Sequence, residues 1–121
     1  IAGGYSIYVS ENHPLRASGG KEIADFDNNT GVKVRNSNPA EWVRPTGKGY
    51  LGYSTSNLAR FLGTVRKWAG FESLPKEVVR RTGESGLVSY DDYLLMRLEL
   101  GTGQEAGIYT NEITVSIVPN L

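Results

Sequence analysis

The sequence of 121 residues contains no cysteine, one histidine and one methionine. Without cysteine the chain has no disulfide, no thiolate metal ligand and no cysteine nucleophile. Lysine and arginine total 13, as do aspartate and glutamate, so the formal net charge is zero. That balance argues against nucleic acid as the main partner, because phosphate binding needs a surplus of basic residues on one face. No apolar run approaches the roughly 20 residues of a membrane-spanning helix.

Recognisable catalytic motifs are also absent from the sequence. The lone His13 precedes a proline in a polar stretch, and neither a Gly-x-Ser-x-Gly motif nor a GxxxxGK[ST] phosphate loop accompanies it. Asp91 and Asp92 are adjacent at the start of an expected strand, so their side chains should point to opposite faces. We interpret them as strand-edge charges that discourage sheet extension. We therefore expect a protein that is not an enzyme and needs no cofactor.

One acidic stretch resembles an oxygen-rich calcium loop. Asp25, Asp27 and Asn29 alternate there ahead of a glycine. The EF-hand pattern requires glycine at its sixth position and glutamate at its twelfth, where this chain has Thr30 and Asn36. These three residues are weak calcium candidates, and an Asx-rich turn without metal is the favoured interpretation.

The chain does contain short segments in which apolar and polar residues alternate, separated by glycine-rich turns. Segment 5–10 is one such strand, and segments 93–100 and 109–119 predict a β-hairpin with one buried face per strand. The residues expected in that core are Leu94, Met96, Leu98, Ile113, Val115 and Ile117. A single domain of this kind predicts an all-β fold, an Ig-like or pilin-like antiparallel β-sandwich.

One stretch favours a helix instead. Apolar residues recur at helical spacing over 57–71, and Asn57 is suited to cap the start. Gly63 and the β-branched Val65 inside the stretch oppose a helix. We predict at most one short helix, within 57–71.

Aromatic residues in the middle of the chain are candidates for ligand binding. Trp42, Tyr50 and Tyr53 would stack on sugar rings if they were exposed, and would fill the open end of the core if they were buried. The core interpretation is favoured, because aromatic side chains carry much of the burial in a small core. The alternative function is a carbohydrate- or ligand-binding module of a larger surface protein.

Two runs resemble exported surface domains. The closing run 104–115, with Ala106-Gly107, Tyr109 and an alternating strand, is similar to the end of exported Ig-like sandwiches. These include chaperone-usher and spore-coat-U-type pilins, TasA/camelysin-like fibre subunits and WxL-like surface domains. The run 31–55, with Trp42 and a Gly-Tyr-x-Gly-Tyr motif, resembles bacterial surface proteins. The resemblance implies an extracellular or cell-surface location, with which a chain starting at Ile1 is compatible.

The first ten residues favour a structural function. Ile1-Ala2-Gly3-Gly4 leads into a strand with no evident hairpin partner, because the next ten residues are polar. Such a strand can fill a groove in a neighbouring molecule. We predict a donor strand in 1–10, with Tyr5, Ile7 and Val9 as assembly residues, and a sandwich domain in 11–121. The partners would be other copies of the chain, in an extracellular filament or surface layer. The alternative is that segment 5–10 pairs within its own sheet.

Overall fold

The structure is a computed structural model that describes residues 3–43, 46–82 and 89–120. Its strands, in chain order, are β1 (Tyr5–Glu11), β2 (Leu15–Arg16), β3 (Glu22–Asp25), β4 (Ala40–Glu41), β5 (Tyr50–Thr55), β6 (Lys67–Trp68), β7 (Lys76–Arg81), β8 (Leu94–Glu99) and β9 (Ile113–Pro119). A short 3₁₀ turn spans Ser18–Gly20. The described ranges contain no helix that is long and apolar enough to cross a membrane.

Two packed sheets confirm the predicted all-β sandwich. The first sheet has the antiparallel order β7-β1-β9, and the second has the order β2-β3-β5-β8 with β3 and β5 parallel. The core between them contains Val9, Tyr53, Phe61, Phe71 and Val78. β4 and β6 form a separate two-stranded ribbon.

β1 lies in the centre of the three-stranded sheet. Tyr5 is the register partner of Arg81 on one side and of Pro119 on the other. Val9 is buried in the core, and Tyr5 and Ile7 pack against it. The alternative interpretation of segment 5–10, pairing within its own sheet, is therefore the arrangement that the structure has. Because β1 is hydrogen-bonded to a strand on each side, Tyr5, Ile7 and Val9 belong to their own sheet here, and their role as a donor strand stays a prediction.

The stretch 57–71 forms no helix, which is within the predicted limit of at most one short helix there. The chain makes a single turn, in which the Phe61 amide donates to the Leu58 carbonyl at 2.9 Å, and then enters β6. Phe61 packs between the sheets, whereas Trp68 packs in a second apolar cluster. The apolar residues that imitate one helical face thus contribute to two different cores.

That second cluster contains Phe26, Trp42, Tyr50 and Trp68. The rings of Phe26 and Trp42 stack with their centroids 4.4 Å apart. A Cβ atom at Gly52 would lie 2.8 Å from the Trp42 ring, so the close approach of this ring to β5 requires glycine. Because every residue of β5 is buried, this strand is covered on both faces.

The predicted hairpin between the two C-terminal strands is wrong. β8 pairs with β5 in one sheet, and β9 pairs with β1 in the other. Among the predicted core residues, Leu94 and Ile113 pack against the core, but Met96, Leu98, Val115 and Ile117 are more than half exposed. The core prediction is therefore wrong for these four residues.

Candidate functional site

The two C-terminal strands leave one side of the sandwich open. β8 is the last strand of the four-stranded sheet, and β9 is the last strand of the three-stranded sheet. Leu94 of β8 and Val115 of β9 line the same cavity of about 120 Å³ between the sheets, so both edges lie on the same side. Within the described residues, no strand pairs with the outer edge of either. We call the space between these edges the β8/β9 cleft.

Apolar side chains of both strands point into the β8/β9 cleft. Directly paired residues share a face of a sheet, and the pairs are Leu94 with Thr55, Met96 with Tyr53, Leu98 with Leu51, Val115 with Val9 and Ile117 with Ile7. We call these inward-pointing apolar side chains of β8 and β9 the inward row. Their exposed fractions are nevertheless 59% at Met96, 53% at Leu98, 55% at Val115 and 64% at Ile117. With Leu100, these side chains leave on the order of 500 Å² of apolar surface in water, a patch size that is often functional.

The free main-chain groups of β9 belong to the residues of the inward row. The Asn12 amide donates to the Glu112 carbonyl at 3.1 Å, and the Asn120 amide donates to the Gly4 carbonyl at 2.9 Å. Because hydrogen-bonding direction alternates along an antiparallel strand, even-numbered residues of β9 bond to β1. Ile113, Val115 and Ile117 therefore direct their N–H and C=O groups outward.

The same alternation holds for β8. The Ser56 amide donates to the Tyr93 carbonyl at 3.2 Å, so the odd-numbered residues of β8 form the hydrogen bonds to β5. Leu94, Met96 and Leu98 direct their main-chain groups to the free edge. Each edge of the cleft thus combines a row of apolar side chains with main-chain groups available for pairing.

Charged residues usually protect exposed strands from pairing, but none points into the β8/β9 cleft from β8 or β9. β9 has no charged residue. On β8, the Arg97 guanidinium lies 4.2 Å from the centroid of the Trp68 ring. Glu99 accepts a hydrogen bond from the Trp42 indole nitrogen at 2.8 Å. Both charges are therefore held by the aromatic cluster that includes Trp42 and Trp68, and the cleft stays apolar.

Asp92 fixes one end of the β8/β9 cleft. Its side chain is buried and forms an ion pair with Arg81 at 2.7 Å. It also accepts hydrogen bonds from the hydroxyls of Tyr5 and Ser56. Burial alone would raise the pKa of Asp92, but the hydrogen bonds from Arg81, Tyr5 and Ser56 hold it below its usual value. Asp92 thereby ties the start of β8 to β1 and β7. The interpretation of Asp92 as a strand-edge charge that discourages sheet extension is therefore wrong.

The other end lies beneath the loop that leads from β8 toward β9. Leu98 and Leu100 line a cavity of about 310 Å³ there, together with Tyr109 and the loop residues 104–107. The Tyr109 hydroxyl donates to the Glu105 carbonyl at 2.6 Å and accepts a hydrogen bond from the Gln104 amide at 2.8 Å. These bonds fix the loop, which bounds the cleft.

The three aromatic candidates are all buried. Trp42, Tyr50 and Tyr53 are 4%, 2% and 0% exposed. The Tyr50 hydroxyl is held by the Asn29 side chain at 2.8 Å. None of the three rings presents a face to solvent on which a sugar could stack, so their place is in the two cores.

The three weak calcium candidates have separate roles. Asp25 is buried and forms an ion pair with Lys33 at 3.2 Å. Asp27 accepts a hydrogen bond from the Asn29 amide at 2.8 Å, which is the geometry of an Asx turn. The Asn29 side chain bridges to Tyr50 and to the Thr46 carbonyl. In the part of the chain that the structure describes, no three His, Cys, Asp or Glu residues are grouped to hold a metal ion.

Glu11 and Asp25 form a buried acid pair that sequence patterns do not indicate. Glu11 ends β1 and Asp25 ends β3, so the pair connects the two sheets. Burial, followed by the neighbouring Asp25, raises the pKa of Glu11 to about 9. Asn111 donates to the Glu11 carboxyl at 3.2 Å. Both carboxyl groups are buried, so the pair is not presented to a substrate and acts on stability instead.

No protein-family model, no curated protein and no solved structure matches this chain. The resemblance to exported Ig-like domains therefore stays a prediction. The β8/β9 cleft itself was missed by sequence reasoning, although the alternating pattern of its strands was visible. Alternation indicates which side chains share a face, but it does not indicate which strand pairs with which.

Proposed function

We propose that this protein is a non-enzymatic structural subunit that assembles with other copies of itself by β-strand addition at the β8/β9 cleft. The observation that supports the proposal is the inward apolar row, more than half exposed at Met96, Leu98, Val115 and Ile117. The same strands carry main-chain groups with no strand partner among the described residues.

The physical argument is that an added strand removes two costs together. Apolar side chains are unfavourable as long as they stay exposed to water. Main-chain N–H and C=O groups are unfavourable if they become buried without a hydrogen-bond partner. An incoming strand with alternating apolar residues pairs with a free edge and covers the row beneath it. Each fully buried aliphatic side chain contributes about 1.5–3 kcal/mol, from which the cost of ordering the strand is subtracted.

The proposed setting is an extracellular filament or cell-surface layer. Two sequence features support it: the zero net charge and the resemblance to exported sandwich domains. A balanced charge also favours self-association, because copies of the chain do not repel one another through a net charge.

The test compares assembly of the unaltered chain with that of two variants of β9. Val115→Asp puts a charge in the inward row, whereas Ser116→Asp puts the same charge on the opposite face of the same strand. We expect the unaltered chain and Ser116→Asp to form oligomers or filaments, since only a charge inside the cleft must be desolvated on assembly. Val115→Asp should stay monomeric.

Size-exclusion chromatography with light scattering measures the mass, and negative-stain electron microscopy shows filaments. An unaltered chain that stays monomeric at high concentration contradicts the proposal. Unimpaired assembly of folded Val115→Asp would exclude the cleft as the assembly site.

A further inference from the structure

The free edge of β9 is complementary to itself. We propose that the strand added at the β8/β9 cleft is β9 of a second copy, antiparallel to the first, with a two-fold axis at Val115. This inference rests on the proposed function and names its partner strand. It also predicts a register, which makes it testable residue by residue.

The register follows from the main-chain groups that are free to pair. Ile113, Val115 and Ile117 direct their N–H and C=O groups outward, whereas Pro119 has no N–H to donate. A two-fold axis at Val115 places Ile113 opposite the partner's Ile117 and Val115 opposite the partner's Val115. Every outward residue then meets an outward residue, and each such pair exchanges two hydrogen bonds.

The side chains on both faces are compatible with this register. The inward rows of the two copies lie on the same face, because residues opposite each other in a sheet share a face. On the other face, Thr114 lies opposite the partner's Ser116, a pair that can form a hydrogen bond. Glu112 lies opposite the partner's Val118, so like charges do not meet across the axis.

β9 suits this role better than β8. The seven residues of β9 include no charge, whereas β8 carries Arg97 and Glu99. The added β9 also brings its own row of Ile113, Val115 and Ile117 toward the exposed Met96 and Leu98 of the first copy. One contact of identical surfaces thus covers the apolar rows of both strands, and the two-fold dimer that it forms would be the unit from which the proposed filament or layer is built.

Single-cysteine variants test the register, because the chain has no cysteine of its own. Opposed residues of a hydrogen-bonded antiparallel pair have Cα atoms about 5.5 Å apart, within the range of a disulfide. Under mild oxidation, Val115→Cys should therefore cross-link to itself and run as a covalent dimer. Ile113→Cys should not, because its copy is about 13 Å away along the strand.

A mixture of Ile113→Cys and Ile117→Cys should cross-link, although neither does so alone. Ser116→Cys is the control on the opposite face and should remain monomeric on a denaturing, non-reducing gel. Circular dichroism before oxidation checks that each variant is folded.

The outcomes separate this inference from the function on which it rests. If the variants assemble but Val115→Cys does not cross-link, the two-fold pairing of β9 is overturned and strand addition at the cleft stands. Self-cross-linking of Ser116→Cys would overturn the register by moving the axis one residue. If the unaltered chain and all variants stay monomeric at high concentration, both the inference and the proposed function fail.

Discussion

Glu11 and Asp25 place two carboxyl groups in the interior between the sheets, with Lys33 as the cation bound to Asp25. The pKa of Glu11 is raised from 4.5 to about 9, first by burial and then by Asp25. The folded protein therefore holds the Glu11 proton more tightly than the unfolded chain. The contribution of Glu11 to stability is complete below its unfolded pKa of 4.5 and is lost as the pH rises toward 9.

The variant Glu11→Gln tests this alkaline dependence. Glutamine has the shape of the protonated side chain but does not titrate, so the melting temperature of the variant should fall less than that of the unaltered chain between about pH 5 and pH 9. Calorimetry across this range measures the difference. Parallel curves for the two proteins would show that Glu11 does not control the alkaline loss of stability.

Asp92 has the opposite pH dependence. Its pKa is lowered below 3.8 despite burial, because Arg81, Tyr5 and Ser56 donate to the carboxylate. Its contribution is therefore present above pH 3.8 and is lost as the pH falls through the folded pKa. Asp92→Asn leaves Arg81 without its carboxylate and should cost about 3 kcal/mol at neutral pH.

The exposed neighbour Asp91 supplies the matched control for this measurement. Asp91→Asn should change the free energy of unfolding by no more than about 0.5 kcal/mol. Urea unfolding at neutral pH compares the two variants. Equal effects would mean that the buried network at Asp92 contributes nothing specific.

Trp42 is one of two tryptophans in the second apolar cluster, which contains Phe26, Trp42, Tyr50 and Trp68. Its replacement by alanine removes the stack on Phe26 and the hydrogen bond to Glu99. Trp42→Ala should cost about 3–5 kcal/mol, while Trp42→Phe should cost less because a ring remains over Gly52. Urea denaturation measures both variants. A fully stable Trp42→Ala would contradict the assignment of this ring to the core.

At the scale of elements, β9 is paired on one edge only among the residues that the structure describes. In the monomer, the amides of Thr114, Ser116 and Val118 bond to β1, whereas those of Ile113, Val115 and Ile117 point outward. Amide hydrogen exchange followed by NMR in dilute solution should therefore alternate along the strand, slow at even positions and fast at odd positions.

Assembly should abolish this alternation by slowing the odd positions of β9. In Val115→Asp, which we expect to stay monomeric, the odd amides should stay fast at every concentration. Uniform protection along β9 in a dilute monomer would show that its outer edge is already paired.

At the scale of the whole molecule, the open side of the sandwich couples stability to assembly. A contact made only by folded chains stabilises them by mass action. The melting temperature should therefore rise with protein concentration in the unaltered chain and in Ser116→Asp. Scanning calorimetry over a hundredfold range of concentration measures it, and Val115→Asp should show no rise. A constant melting temperature in all three proteins would contradict self-association.

Period-two alternation in the sequence was sufficient to locate β1, β8 and β9 and to show which of their side chains share a face. It predicted the all-β class for the same reason, since the chain offers many short alternating segments between turns. These are local properties, because the face of a side chain depends on its position along its own strand. The aromatic residues Trp42, Tyr50 and Tyr53 were likewise favoured for the core by their size.

The tertiary structure alone decided which strands pair and which edges stay free. Alternation looks the same in a hairpin and in two strands of different sheets, so β8 and β9 were predicted as partners. The spacing of Phe61 and Trp68 fits a helix, but two cores on opposite faces of β5 outweigh that local preference. The ion pair of Asp92 and the acid pair of Glu11 and Asp25 join residues distant in sequence, and long-range contacts leave no local pattern to detect.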